Sequence, residues 1–282
     1  MPEKLEQRLQ HAHADGRTLV MGVVNVTPDS FSDGGRFLSP DRAVRHALEL
    51  VAAGADILDV GGESTRPGAQ PVDEQDELER VLPVIEGLAA ATDVPVSIDT
   101  AKPAVMRRAV AAGAAMINDV NGLRAEGAVD AVAELGVPVC IMHMLGEPRT
   151  MQKNPVYESV LDDIRDFLRE RVLACKAAGI PASRIVLDPG FGFGKTLDHN
   201  LELLARLDEI VALGHPILAG MSRKSMMGTI TGRKNPADRV AASVAAHLIA
   251  AQKGATVVRV HDVAETVDAL KTLSALKAHR AD

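Results

Sequence analysis

Positions 188–196 read DPGFGFGKT, and the closing Gly-Lys-Thr is how a phosphate-binding P-loop ends. That loop needs a glycine five residues before its last one, because backbone N–H groups at that spacing wrap the phosphates. Here the position is Pro189, which has no N–H to offer. The dinucleotide pattern G-x-G-x-x-G fails as well, since Gly190 and Gly192 are followed by Gly194 and the required position holds Lys195. The stretch is therefore a carboxylate, Asp188, followed by a glycine loop. Other polar residues also end short apolar runs: Asn25, Asp59, Asp99, Asn118, His143, Ser222 and His261. Asp, Asn and Ser are the usual caps of helices that follow such runs, so each has a structural explanation too. Asp262 with Glu265, ahead of Val263, Val267 and Leu270, reads as a capping pair of this kind.

Residues that point inward resist that explanation. In VVRVHD a period of two puts Val258 and Val260 on one face and Val257, Arg259 and His261 on the other. The two valines belong against helices, so Arg259 and His261 face inward. A buried guanidinium needs an internal carboxylate or a bound anion, because an unpaired buried charge costs several kcal/mol, roughly. By the same count Val96 and Ile98 face out while Asp99 faces in, and Ile185 and Leu187 face out while Asp188 faces in. Two inward acids and one inward arginine make a polar pocket.

These residues must be positioned by a scaffold, and the scaffold is legible. Eight apolar runs of strand length recur, at 19–26, 56–62, 94–100, 115–121, 137–144, 184–190, 216–222 and 257–263. Helical patterns lie between them. In SPDRAVRHALELVAAGAD, Ser39 caps, Pro40 opens the first turn, Val44, Ala47, Leu48 and Val51 form an apolar face, and Gly54 ends the helix. The phrases AAGADILD, AAGAAMIND, AAGIPASRIVLD and QKGATVVRVHD repeat the same helix end, glycine turn and strand start. Eight alternating units imply a single (β/α)8 barrel, a TIM barrel, over 1–282, with 1–18 an N-terminal extension. An open doubly wound sheet is the alternative fold. In a barrel the polar strand ends gather at one mouth, under the long loops 27–37 and 62–75.

The bulk numbers restrict the rest. A net charge of -7 argues against binding nucleic acid through the overall field, though a local basic pocket is compatible with it. Aromatic content is 2%, with one Tyr and no Trp, so the core must be built from aliphatic side chains. Cys140 and Cys175 have no C-x-x-C or His partners and read as buried thiols in a reducing compartment. No run resembles a signal peptide or a membrane span, so the expected place is the cytoplasm, with no membrane partner.

The motifs NVTPDSFSDGG, DVGGESTRPGA, SIDT, INDVNG, MHM with PRTMQ, LDPGFGFGK, GMSRKS and RVHDV stand in the order and spacing of dihydropteroate synthases. The chain resembles that family from about Leu19 to Val267. The resemblance implies an α/β barrel that joins p-aminobenzoate to 6-hydroxymethyl-7,8-dihydropterin diphosphate, forming 7,8-dihydropteroate and releasing pyrophosphate for folate synthesis. It implies a pterin pocket of Asp99, Asn118, Asp188 and Lys224, with Met142 and Gly220 lining it. The pyrophosphate site falls on Asn25, Arg66, Arg259 and His261, with Mg2+ bridging pyrophosphate oxygens and Asn25. The p-aminobenzoate site falls on Thr65, Arg66, Pro67, Phe193, Ser222 and Lys224. Asp99, Arg66, Lys224, Arg259 and His261 are the expected catalytic residues, and a homodimer is implied. On this reading a flexible glycine loop presents Phe193 to the benzoate ring, and Lys195 is an ordinary surface lysine. The chain departs from the family at MLGEP, where many members carry MQGTP.

Three other readings compete. A non-catalytic pterin-binding relative would lack the first two loops or the anion residues, which are present here. A folate-dependent methyltransferase would not need the STRP loop. A Schiff-base aldolase would use Lys224.

Overall fold

The computed structural model describes residues 4–27, 40–64, 68–147 and 150–279. Ser39, positions 28–37 of the first long loop, Thr65, Arg66 and Pro67 of the second, and Pro148 and Arg149 of PRTMQ lie outside the described residues.

The eight expected strands form one parallel sheet: β1 (Leu19–Asn25), β2 (Ile57–Gly61), β3 (Val96–Asp99), β4 (Met116–Asp119), β5 (Val139–Met142), β6 (Ile185–Asp188), β7 (Leu218–Ala219) and β8 (Val257–Val260). They run in the order β6-β5-β4-β3-β2-β1-β8-β7, and a single parallel bridge between Leu187 and Ile217 joins the two ends. The result is the near-closed α/β barrel, and the open doubly wound sheet is ruled out.

Helix α1 (Leu5–Ala14) precedes the barrel. Around the outside run α2 (Pro40–Ala52), α3 (Glu74–Ala91), α4 (Pro103–Ala111), α5 (Ala128–Leu135), α6 (Val160–Ala177), α7 (Leu197–Ala205), α8 (Leu207–Val211), α9 (Ser225–Thr231), α10 (Val240–Gln252) and α11 (Val263–His279). Local chemistry sets their ends. Asp73 caps α3 by accepting the Asp76 N–H at 2.8 Å, and Thr196 with His199 forms a capping box on α7. The repeated glycine phrase works as read, with Gly54, Gly113, Gly179 and Gly254 all at positive φ after a helix.

The strand period divides the core in two. Val20, Val24, Val96, Ile98, Ile185, Leu187, Val258 and Val260 face the helices. Leu19, Met21, Ile57, Met116, Cys140, Val186, Leu218 and Val257 fill the barrel interior, with Leu5, Leu9 and Ala12 of α1 packed against them. The N-terminal segment is thus a plug under the barrel. Arg8 pairs with Asp56 at 2.7 Å, Glu6 with Arg184 at 3.0 Å, and His13 contacts Thr256 at 3.2 Å, each partner preceding a strand.

On α2 the deepest residues are Ala43, Ala47 and Leu50, while Val44, Leu48 and Val51 are only partly buried. The expected face is rotated because the helix also packs sideways on α3. An added Cβ at Gly87 of α3 would come within 2.9 Å of Val44.

Candidate active site

Inward residues at the C-terminal strand ends form a pocket of about 460 Å³, including its open mouth. Ten of the expected site residues line it. Asp99, Asn118, Met142 and Asp188 come from β3 to β6, Phe193 from the glycine loop, Gly220, Ser222 and Lys224 from the segment after β7, and Arg259 and His261 from β8. Val23 and Val120 complete the lining. Val23 shares the inner face of β1 with Met21 and Asn25, so the strand period alone would have found it.

Arg259 is held from two sides. Its Nε donates to Asp59 Oδ2 at 2.6 Å, and its Nη2 donates to Asp99 Oδ2 at 2.8 Å. Asn118 Nδ2 donates to the same Asp59 oxygen at 3.1 Å. The anionic partner that inward Arg259 required is therefore a pair of internal carboxylates. Asp59, one of the polar strand ends, is fully buried at the centre of this network. Burial opposes the charge of Arg259, and Asp59 and Asp99 more than restore it, holding the guanidinium above its ordinary range. Burial lifts the Asp99 carboxyl to about 7, with Arg259 pulling it down and Asp59 pushing it further up.

Asp188 is oriented by the loop that follows it. Its Oδ1 accepts the Gly190 N–H at 2.6 Å, and burial raises its pKa against the pull of Lys224. Lys224, at the start of α9, donates to the Phe191 carbonyl and places its ammonium 4.4 Å from the centroid of the Phe193 ring. Burial lowers its pKa to about 8, opposed by Asp188. Ser222 Oγ accepts the His261 N–H at 3.1 Å and stands 2.9 Å from His261 Nδ1, which ties the β7 end to the β8 end.

The segment around Ser222 is fixed from outside. Met221 N–H donates to His247 Nε2 at 3.0 Å, and Arg223, at φ 57, takes its N–H to Ser243 Oγ at 2.9 Å. The Arg223 guanidinium engages Asp262, so this carboxylate, immediately before α11 and read as a helix cap, also anchors the SRK turn.

The glycine loop departs from expectation in two ways. Lys195 is 3% exposed, not at the surface. Every carbonyl from Gly190 to Gly194 accepts a hydrogen bond, so the loop read as flexible is held. Gly190 receives Lys195 and the Phe193 N–H, Phe191 receives Lys224, Gly192 receives Gln152, Phe193 receives Lys195, and Gly194 receives Tyr157. Gly190 has φ +71, and a Cβ there would lie 1.9 Å from the His143 carbonyl oxygen. Leu145, where MLGEP departs from the family, packs against Gly194, which explains why this edge is tight.

Sequence reasoning also missed an ion cluster at the root of the second long loop, where the part-exposed Lys102 bonds both Glu63 and the fully buried Glu77. A glutamate in the first turn of a helix reads as dipole complementation, so nothing local marked it. Thr65, Arg66 and Pro67 lie beyond that root, outside the described residues.

Asn25 ends β1 on the inner face, half-buried, and offers one neutral oxygen. Among the described residues no group of three His, Cys, Asp or Glu side chains is arranged to hold a metal ion. That donor set fits magnesium that arrives with phosphate oxygens as most of its ligands. No helix among the described residues is long and apolar enough to cross a membrane.

A parallel barrel whose mouth gathers two acids, an asparagine, a lysine and an arginine falls in the class of pterin binding enzymes, whose family matches residues 21–261. Escherichia coli (strain K12) dihydropteroate synthase is 49% identical over 267 residues, 95% of this chain and 92% of that one. Among solved structures, Xanthomonas albilineans dihydropteroate synthase with 4-aminobenzoic acid has a TM-score of 0.89 and 57% identity, covering 93% of this chain and 94% of that one. Burkholderia cenocepacia dihydropteroate synthase complexed with 7,8-dihydropteroate gives 0.85 and 52%, covering 94% and 93%. The chain belongs to the dihydropteroate synthase family.

Proposed function

We propose that this pocket joins 6-hydroxymethyl-7,8-dihydropterin diphosphate to p-aminobenzoate, giving 7,8-dihydropteroate and pyrophosphate. The observation that carries it is the meeting of Asp188, Asn118 and Asp99 with Arg259 and His261 in one pocket. The aminopyrimidinone edge of a pterin presents adjacent N–H donors, which a carboxylate accepts in parallel. Asp188, held through Oδ1 by the Gly190 N–H, is aimed for that work.

Arg259 keeps Nη1 for the diphosphate while Nε and Nη2 hold its carboxylates. The carbon–oxygen bond to the diphosphate breaks, the electron pair leaves with pyrophosphate, and positive charge develops on the pterin methylene. Arg259 and His261, with Arg66, stabilise the departing anion, and Asp99 faces the developing cation. The aniline nitrogen then attacks the methylene carbon, and its surplus proton passes to solvent water. Thr65, Pro67, Ser222 and Phe193 surround the arylamine in this reading. Asn25 would hold Mg2+, which would supply charge neutralisation to the leaving group.

A pyrophosphate-release assay with each substrate and Mg2+ omitted in turn tests the reaction. Release that requires both substrates supports it; tight pterin diphosphate binding without condensation rejects it. In a folded Arg259→Ala protein, turnover should fall on the order of a thousandfold, as for loss of a preorganised electrostatic donor. Near-normal release would sink the assignment.

The exposed Ile230 and Ile249 on α9 and α10 support a homodimer, which sedimentation at micromolar concentration would test. The free, buried Cys140 and Cys175 support a cytoplasmic location, testable by fractionation.

A further inference from the structure

Lys195 lies outside the pocket lining, and its ammonium is fully occupied. Nζ donates to the Gly190 carbonyl at 2.9 Å and to the Phe193 carbonyl at 3.0 Å, and stands 3.0 Å from His143 Nδ1. Burial, with Lys195 and Arg124 nearby, pushes His143 down to about 2, so the imidazole is neutral and its Nδ1 takes the acceptor role. Among the described residues no carboxylate forms an ion pair with Lys195; burial pulls its own pKa to about 7, against the more distant charge of Asp188. A buried ammonium without an ion-pair partner is costly, whereas a methionine would fill similar space without that cost. What the ammonium supplies is donors that gather two carbonyls of a loop otherwise made of glycine and phenylalanine.

Those two carbonyls bracket the segment that carries Phe193. Asn200 Oδ1 accepts the Gly192 N–H at 2.7 Å, Gln152 holds the Gly192 carbonyl at 2.6 Å, and the Phe193 N–H closes back onto Gly190 at 3.1 Å. The loop runs from Asp188 to Lys195 and carries Phe193, whose ring meets the Lys224 ammonium.

We propose that Lys195 is a positioning residue for the arylamine: by drawing the Gly190 and Phe193 carbonyls onto one buried centre, it sets the Phe193 ring against Lys224 before any ligand arrives. This rests on the condensation reading above. It separates Phe193, which touches the ring of the second substrate, from Lys195, which acts through the loop.

Steady-state kinetics of the wild-type and Lys195→Met proteins, varying each substrate in turn, provide the test. The wild-type protein is measured first; its failure to condense the substrates would reject the reaction itself and not the role of Lys195. In Lys195→Met the KM for p-aminobenzoate should rise about tenfold or more, and by a clearly larger factor than that for the pterin diphosphate, which feels the same loop through Asp188. An unchanged KM for p-aminobenzoate, or an equal rise in both, overturns the proposal.

Amide exchange in the ligand-free wild-type protein decides the matter if the variant does not fold. The Phe193 amide should exchange about a hundredfold or more slowly than in an unstructured peptide. Exchange at the peptide rate overturns the preset loop.

Discussion

At the scale of single residues, the site depends on groups kept in states that water would not favour. His247 is fully buried, donating from Nδ1 to Ser243 O and accepting the Met221 N–H at Nε2, which requires the neutral ring. Burial lowers its pKa from 6.5 to about 4. The unfolded chain therefore takes up this proton first, so the contribution of His247 is complete above pH 6.5 and is lost as pH falls through about 4. Urea unfolding at pH 7 and pH 4.5 should show His247→Gln shrinking the acid-induced loss by about 2 kcal/mol. An unaltered pH dependence would exclude the histidine as its source. Gly190→Ala meets a backbone oxygen at 1.9 Å and a φ of +71, so both relief routes are closed. It should cost about 3 kcal/mol or more, measured by the same unfolding; a loss under about 1 kcal/mol would mean that the loop shifts freely.

At the scale of elements, eight strands were readable because runs such as RIVLD and VPVCIM are apolar on both faces, as covered parallel strands must be. Their ends were not readable to the residue. The run 216–222 keeps only Leu218–Ala219 as β7, because Ile217 makes a lone bridge and the Met221 N–H goes to His247. The period of two placed Asp99, Asp188 and Arg259 correctly, since alternation is encoded wherever a strand is. It says nothing about a glycine loop, which is why burial of Lys195 escaped it: that burial arises from contacts with His143, 52 positions away. The plug formed by α1 was equally hidden, because its apolar residues Leu5, Leu9 and Ala12 meet a surface assembled from most of the strands. Leu9→Ala should cost about 2–5 kcal/mol through the cavity it opens while leaving both KM values intact. A change in substrate affinity without loss of stability would contradict a purely supporting role for the plug.

At the scale of the whole molecule, the barrel is closed unevenly. β1 and β2 share a five-residue register, whereas β6 and β7 meet through the single Leu187–Ile217 bridge and the Leu187 N–H bond to Pro216 O at 2.9 Å. Opening should begin at that seam. In native-state hydrogen exchange, the Leu187 amide should exchange about tenfold or more faster than the amides of Val23 and Val24. Equal protection would show that the cylinder opens as one unit.

The double grip on Arg259 carries a last implication. Once product departs, the guanidinium still faces Asp59 and Asp99, so its charge stays paired without a replacement ion. The guanidinium therefore needs no imported counter-ion between one diphosphate and the next.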